Sequence, residues 1–272
     1  MKKNLIFSLF LGIGVLMMSS CKTEFERIRA TGDFDTRYKK AFEYYEGEEY
    51  LKAQTLFELI ISELRGKVEA EKVYFYYAYT HYHLGQYILA SYYFNTFSRT
   101  FTNSKFKEEA DFMAGYSHYE LSPTYRLDQS YSKKAIDAFQ LFVNTYPTSK
   151  RVAACNDLID EIRKKMEEKA FAEGTLYFDL RQYQSATQSF ENLLRDYPET
   201  SNAEQVRFLV LKANFLLAEN SIFDKQMERF QETLKYIEKF RAKYPKSKYT
   251  KEVKNILKDS NKKLKKIKNV RY

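Results

Sequence analysis

The chain has 272 residues, 30% of them charged, with a formal net charge of +9 at pH 7 and a mean hydropathy of −0.59. That balance excludes a polytopic membrane protein, and the length allows one large domain or two small ones. Four Pro and eight Gly stand against 24 Tyr and 22 Phe, which points to a mostly helical protein with short connections and bulky side chains packed between helices.

Lys2 and Lys3 precede an apolar stretch, Leu5 to Met18, that is too short to span a bilayer comfortably but has the length of a signal-peptide core. It runs into Met18-Ser19-Ser20-Cys21, where small residues before a cysteine resemble a lipobox. The reading is a leader over residues 1–20, cut so that Cys21 is acylated and attached to a lipid bilayer, and then a polar tether over 21–33. With Cys21 acylated, Cys155 is the one thiol left and no intramolecular disulfide can form. The helical pattern VAACNDLIDEI around Cys155 makes it a buried structural thiol.

From residue 34 to 266 the sequence repeats itself. Ala41, Ala78, Gly115, Gly174 and, more weakly, Ala213 each open a short segment, which in the first four closes on an aromatic residue. About twelve residues on comes a second small residue with Phe four later: Ala53/Phe57, Ala90/Phe94, Ala135/Phe139 and Ala186/Phe190, with Thr233/Ile237 as a weaker fifth. Small residues let two helices approach closely, and the aromatics fill the space around them. A helix-ending motif then follows at Tyr146-Pro147-Thr148-Ser149, Tyr197-Pro198-Glu199-Thr200 and Tyr244-Pro245-Lys246-Ser247, degenerate at Phe101-Thr102-Asn103-Ser104. Proline stops the helix and Ser/Thr can cap the next one. Such a unit cannot bury its apolar face alone, so it must stack on its neighbours. The expected fold is all-α, a tetratricopeptide-like α-solenoid of about five helix pairs. The second small residues lie 37, 45, 51 and 47 apart, wider than the roughly 34 residues of a bare repeat. One insertion, Leu121 to Tyr131, falls in the third unit. A terminal helix from Lys248 to about Lys266 and a tail over 267–272 complete the chain.

No catalytic constellation, phosphate loop, paired-cysteine zinc pattern or cofactor motif is recognisable, and the reading is of a protein that is not an enzyme. His81 and His83 are two apart on a helix and make a poor metal pair. His81 and His118 share a repeat register held by Tyr44 and Tyr177 elsewhere, a packing position. In tetratricopeptide arrays the first helix of each pair lines a groove. Its positions here, three before, one after and four after the small residue, are Tyr38, Phe42 and Tyr45; Phe75, Tyr79 and Tyr82; and Phe112, Tyr116 and Tyr119. A groove so rich in Tyr suits an extended peptide with aromatic side chains. At the other end, residues 246–272 hold eleven Lys/Arg against two acids. This reads as a solvated terminal helix or a contact with anionic headgroups or an acidic partner. The export signal argues against nucleic acid as a partner.

The order of these motifs resembles the outer-membrane assembly lipoprotein family BamD. The resemblance is carried by Tyr119-Glu-Leu-Ser-Pro123, Leu127-Asp-Gln129, Lys134-Ala-Ile-Asp-Ala-Phe-Gln-Leu-Phe142 with Tyr146-Pro-Thr-Ser149, and Phe190-Glu-Asn-Leu-Leu-Arg-Asp-Tyr-Pro-Glu-Thr200. It implies a subunit of the β-barrel assembly machinery, anchored on the periplasmic face of the outer membrane. N-terminal repeats would receive the C-termini of unfolded outer-membrane proteins, and C-terminal repeats would contact the barrel-forming subunit. The alternative is another lipoprotein of the same repeats: a peptidoglycan-linked or other cell-envelope adaptor, or a small glycan-capture protein.

Overall fold

A computed structural model describes residues 23–64 and 66–270, so the leader and Cys21 lie outside the described residues. Among these there are twelve α-helices and one short 3-10 turn. They are α1 (Glu24–Thr31), α2 (Phe34–Glu46), α3 (Tyr50–Ile61), α4 (Glu69–His83), α5 (Tyr87–Thr100), α6 (Lys107–Glu120), α7 (Ser130–Thr145), α8 (Val152–Asp179), α9 (Tyr183–Asp196), α10 (Ala203–Glu219), α11 (Phe223–Lys243) and α12 (Thr250–Val270). Five successive pairs, α2/α3 to α10/α11, are the five repeats of the sequence, and α12 follows them. The fold is an all-α tetratricopeptide-like solenoid. Among the described residues no helix is long and apolar enough to cross a membrane.

Two compact units divide the chain: one holds the described residues up to Ser122 with Ser130–Asn156, the other Pro123–Gln129 with the described residues from Asp157 onward. In the first unit, Ala53, Ala90 and Ala135 and the rings of Phe57, Phe94 and Phe139 are fully buried. In the second, Ala186, Phe190 and Thr233 are fully buried and Ile237 nearly so. Thr233 can stand at a small-residue position because its hydroxyl is satisfied within its own helix, donating to Arg229 O at 2.9 Å. The first-helix small residues meet those rings directly: Cα of Gly174 lies so near Phe190 that an added Cβ would stand 2.5 Å from ring carbons.

Polar details repeat with the same period. Glu48, Gly85 and Arg181 turn the chain between paired helices with φ of 59°, 70° and 59°. Each sits seven residues after its small residue, and the next amide, of Glu49, Gln86 and Gln182, reaches back to Tyr44, His81 and Tyr177 carbonyls at 2.8–2.9 Å. This is the six-to-one bond of a left-handed helix stop. The Ser/Thr of the helix-ending motif does two things. Its oxygen accepts the amide two residues on (Phe106, Arg151 and Asn202 to Ser104, Ser149 and Thr200, at 2.9–3.1 Å). Its hydroxyl donates to a glutamate of the preceding first helix: Ser104 to Glu71 at 2.6 Å, Ser149 to Glu108 at 2.6 Å and Thr200 to Glu167 at 2.5 Å. All three glutamates lie seven residues before the small residue, where α10 has Val206, fully buried. The staple thus joins consecutive first helices, and the last first helix carries buried Val206 at the glutamate's position.

The insertion between α6 and α7 is tied down from inside. Buried Gln129 donates through Nε2 to the Thr124 and Leu127 carbonyls at 2.9 and 3.0 Å, and Lys169 Nζ donates to Tyr125 and Leu127 carbonyls at 3.3 and 3.0 Å.

Two expectations at the ends need correction. Residues 24–31 are helical rather than tether: Thr23 caps α1, Ile28 is buried, the Phe25 ring meets Tyr44 edge-on at 5.7 Å, and Arg37 donates to the Arg29 carbonyl at 3.1 Å. The cause is a narrow stripe, Phe25 and Ile28, hidden in a strongly polar segment. The terminal helix likewise continues past Lys266 to Val270, because Ile267 packs with Ala218, Phe230 and Leu264.

A methyl at Gly174 would drive into the Phe190 ring, whereas one at Gly115 would stand 3.1 Å from the Ala138 methyl and 3.3 Å from the Phe139 ring. Overpacking costs about 1–3 kcal/mol, against a gain of about 1 kcal/mol for Ala over Gly inside a helix. Gly174→Ala is therefore expected to lower the urea midpoint and Gly115→Ala to leave it level or raise it. Equal shifts for both variants would contradict the close-contact account.

Candidate functional site: an aromatic ladder in the first unit

The nine groove positions divide by chemistry. Phe42, Phe75 and Phe112 are buried, at 9%, 5% and 8% exposure, and belong to the core between paired helices. Tyr38, Tyr45, Tyr79, Tyr82, Tyr116 and Tyr119 are half-buried, with one edge available. A phenol divides in this way because its ring gains from burial while its hydroxyl keeps a polar partner.

The rings form one continuous series across α2, α4 and α6. Tyr38 lies 5.0 Å from Phe42, Phe42 5.3 Å from Tyr76, and Tyr76 4.8 Å from Tyr45. Tyr45 touches His83 at 5.9 Å, and His83 meets Tyr79 at 5.9 Å and Tyr82 at 5.8 Å. Tyr82 reaches Tyr116 at 6.3 Å and Tyr116 reaches Tyr119 at 5.5 Å. Tyr50 stacks flat on His83 at 4.2 Å. Edge-to-face and offset pairs of this kind contribute about 0.5–1.5 kcal/mol each beyond the area they bury.

Hydroxyls are held from the rim. Tyr79 donates to Glu109 at 2.5 Å, Glu109 in turn pairs with Arg151 at 3.2 Å, and the Arg151 guanidinium lies 4.5 Å over the Phe112 ring. Tyr82 donates to Glu120 at 3.3 Å, and Tyr45 hydroxyl stands 3.3 Å from His83 Nε2. Burial, aided by the neighbouring carboxylates or phenols, pushes the Tyr45, Tyr79 and Tyr82 hydroxyls well above the ordinary phenol range. They remain neutral donors throughout the physiological range, and the ladder presents aromatic edges and faces with a carboxylate and guanidinium at its rim.

Sequence reasoning missed Tyr50, Tyr76 and His83 as members of the ladder. They lie outside the three register positions, at the start of a second helix and at neighbouring turns of the first; the signal was the local crowding of aromatics in Tyr74-Phe75-Tyr76-Tyr77. His81 and His83 face different surroundings. His81 is buried, stacked on Tyr93 at 4.7 Å, with Nδ1 2.6 Å from Gln86 Oε1 and 3.0 Å from Gln54 Nε2. Its Nε2 is buried without a partner, as is Nδ1 of His118, whose Nε2 lies 3.0 Å from Ser91 Oγ. Cys155 is buried and its thiol is pushed up to about 11 by that burial.

Burial holds His81, His83 and His118 below the ordinary imidazole value of 6.5. The unfolded chain therefore binds more protons than the folded one just below that value, and stability falls as pH drops from about 6.5. Denaturation midpoints measured at pH 7.5 and 5.5 are expected to show this loss. His81→Gln, which removes one buried imidazole, should narrow the gap between the two pH values; an unchanged gap would show that His81 charges as readily in the fold as outside it.

Comparison with known proteins gives the address. The family model described as YfiO, outer membrane lipoprotein, matches residues 32–228 and again 177–268. The chain belongs to the YfiO family of outer membrane lipoproteins. No curated protein matches it significantly. Among solved structures, the tetratricopeptide domain of P58(IPK) aligns with a TM-score of 0.41 at 13% identity, over 85% of this chain and 66% of that one. The TPR2AB domain of yeast Sti1, solved with a pHSP90 partner, gives 0.39 at 14% identity over 84% and 98% of the respective chains. Apo RapI gives 0.33 at 15% over 85% and 82%.

Proposed function

We propose that this YfiO-family protein is a lipid-anchored scaffold subunit of the outer-membrane β-barrel assembly machinery, held on the periplasmic face through Cys21. The observation that carries the substrate side of this reading is the aromatic ladder. Nine half-buried or buried rings and the exposed His83 ring, in contact with one another and with the Tyr45, Tyr79 and Tyr82 hydroxyls already partnered, favour an extended ligand that supplies aromatic side chains and leaves its own backbone at the rim. Unfolded barrel proteins with aromatic-rich C-terminal segments have that chemistry. Second-unit repeats are the part left to engage the barrel-forming subunit. On this reading the protein acts by binding its partners.

A peptide copied from a barrel C-terminus is expected to bind the wild-type protein and to lose about tenfold or more in affinity, ~1.4 kcal/mol, in the variant carrying Tyr45→Ala, Tyr79→Ala and Tyr82→Ala. Equal binding by both would remove the ladder from the reading while leaving the anchor untouched. The anchor has its own check: cells given a labelled fatty-acid analogue should label the wild type and not Cys21→Ala. Crosslinking followed by purification should recover a large barrel protein, and recovery of peptidoglycan-associated proteins in its place would favour an envelope adaptor.

A further inference from the structure

A second polar constellation lies in the other unit, on a different kind of surface. Where α9 and α11 meet over α10, a concavity of about 250 Å³ has Leu194, Val210, Tyr236 and Phe240 in its walls. Arg207, Lys239 and Lys243 also line it, together with one acid, Glu191. Glu191 is engaged, accepting the Tyr236 hydroxyl at 2.7 Å. None of the three cations has a carboxylate within 4.0 Å among the described residues, although nearby Lys212 is paired with Glu252 at 3.6 Å.

Arg207 is the telling member. Its Nε is buried and has no hydrogen-bond partner, and the Glu204 carboxylate one turn earlier leaves its own buried Oε1 unpartnered rather than meeting it. A buried guanidinium N–H with no acceptor is destabilising. A guanidinium carries five N–H donors in a planar fork, two of which can grip the two oxygens of one carboxylate.

The repeat offers a comparison. Lys239 and Lys243 stand six and ten residues after the second small residue, Thr233. The same positions in the other pairs are Leu59 and Glu63, Thr96 and Thr100, Leu141 and Thr145, and Asn192 and Asp196. Position six before the first-helix small residue, Arg207 here, is Asp35, Lys72, Glu109 or Glu168 elsewhere. Hairpin packing thus has no need of three cations at this seam; their convergence belongs to the fifth pair alone.

We infer that this concavity is a binding site for a carboxylate carried next to a bulky apolar group, with Arg207 gripping the carboxylate, Lys239 and Lys243 adding charge, and the Tyr236, Phe240, Val210 and Leu194 walls receiving the apolar part. Either a polypeptide C-terminus or an acidic side chain beside an aromatic residue presents that chemistry. The site is independent of the aromatic ladder and of the assembly role.

Two pairs of probes test it by ligand-observed NMR titration of the full-length protein in detergent: N-acetyl-phenylalanine against its amide, and acetyl-Glu-Phe-amide against acetyl-Gln-Phe-amide. At least one acid is expected to bind tenfold or more tightly than its neutral counterpart, to weaken with added salt, and to lose that preference in Arg207→Gln. Preference in the first pair names a chain terminus as the source, and in the second an acidic side chain. Because Lys239 and Lys243 are exposed, the variant Lys239→Gln/Lys243→Gln tests the charge without risk to folding and should weaken the preferred acid several-fold. The ladder variant at Tyr45, Tyr79 and Tyr82 should bind that acid like the wild type. Absence of acid preference in both pairs, or an unchanged preference in Arg207→Gln and in the double lysine variant, would overturn the inference.

Discussion

An aromatic ring laid directly on a residue of one side-chain carbon or none sets the spacing of the paired helices, and most other features follow from that spacing. In the fourth pair the contact is Gly174 on Phe190, in the third Gly115 on Phe139. Each fully buried Phe supplies about 1.5–3 kcal/mol of transfer free energy, and it can be fully buried only if the facing helix has no bulk at that point. With that contact at the centre of each pair, the remaining aromatics of the first helix are placed around it. Of the positions three before and one after the small residue, one is a buried phenylalanine that closes the core and the other a half-buried tyrosine, and the position four after is tyrosine in all three repeats. The ladder is therefore an outgrowth of hairpin packing, not a separate construction laid over it.

Apolar packing of this kind tolerates sliding, because rings and methyls have no preferred partner atom. Polar staples remove that freedom. Ser104, Ser149 and Thr200, which end three of the repeats, each hold the amide leading into the next helix and donate to Glu71, Glu108 and Glu167 on the helix before. A hydroxyl bound at both ends fixes where one first helix sits along the next to within the length of a hydrogen bond. Burial supplies most of the stability and these few bonds supply the register.

Much of this was legible in the sequence because it depends on spacing: the five pairs, the small-residue/Phe contacts, the helix stops and the Tyr positions are all periodic. Periodicity is also the reason other features stayed hidden. Helix α1 has two apolar contacts in a segment of charged residues, too few to register as a pattern, and its burial depends on Tyr44 and Arg37 being in place. Tyr50, Tyr76 and His83 enter the ladder because two neighbouring turns face each other, a relation in space with no fixed offset along the chain. The glutamates seven residues before the small residue do recur, but charged residues on a helix are commonplace and gain meaning only beside the Ser/Thr they accept from. Arg207 is one arginine among many until its unpartnered Nε is seen.

Folding of α1 also shortens a leash. Only Lys22 and Thr23 separate Cys21 from the first turn of that helix, and a trans peptide chain extends at most about 3.6 Å per residue. The sulfur-bearing residue and Glu24 can then stand no more than about 11 Å apart, where a free stretch to residue 33 would have allowed roughly four times as much. An acyl group at Cys21 would thus act on a packed helix rather than on a loose thread. The first unit would ride close against the bilayer surface, and any partner reaching it would have to approach along the membrane plane or from the aqueous side.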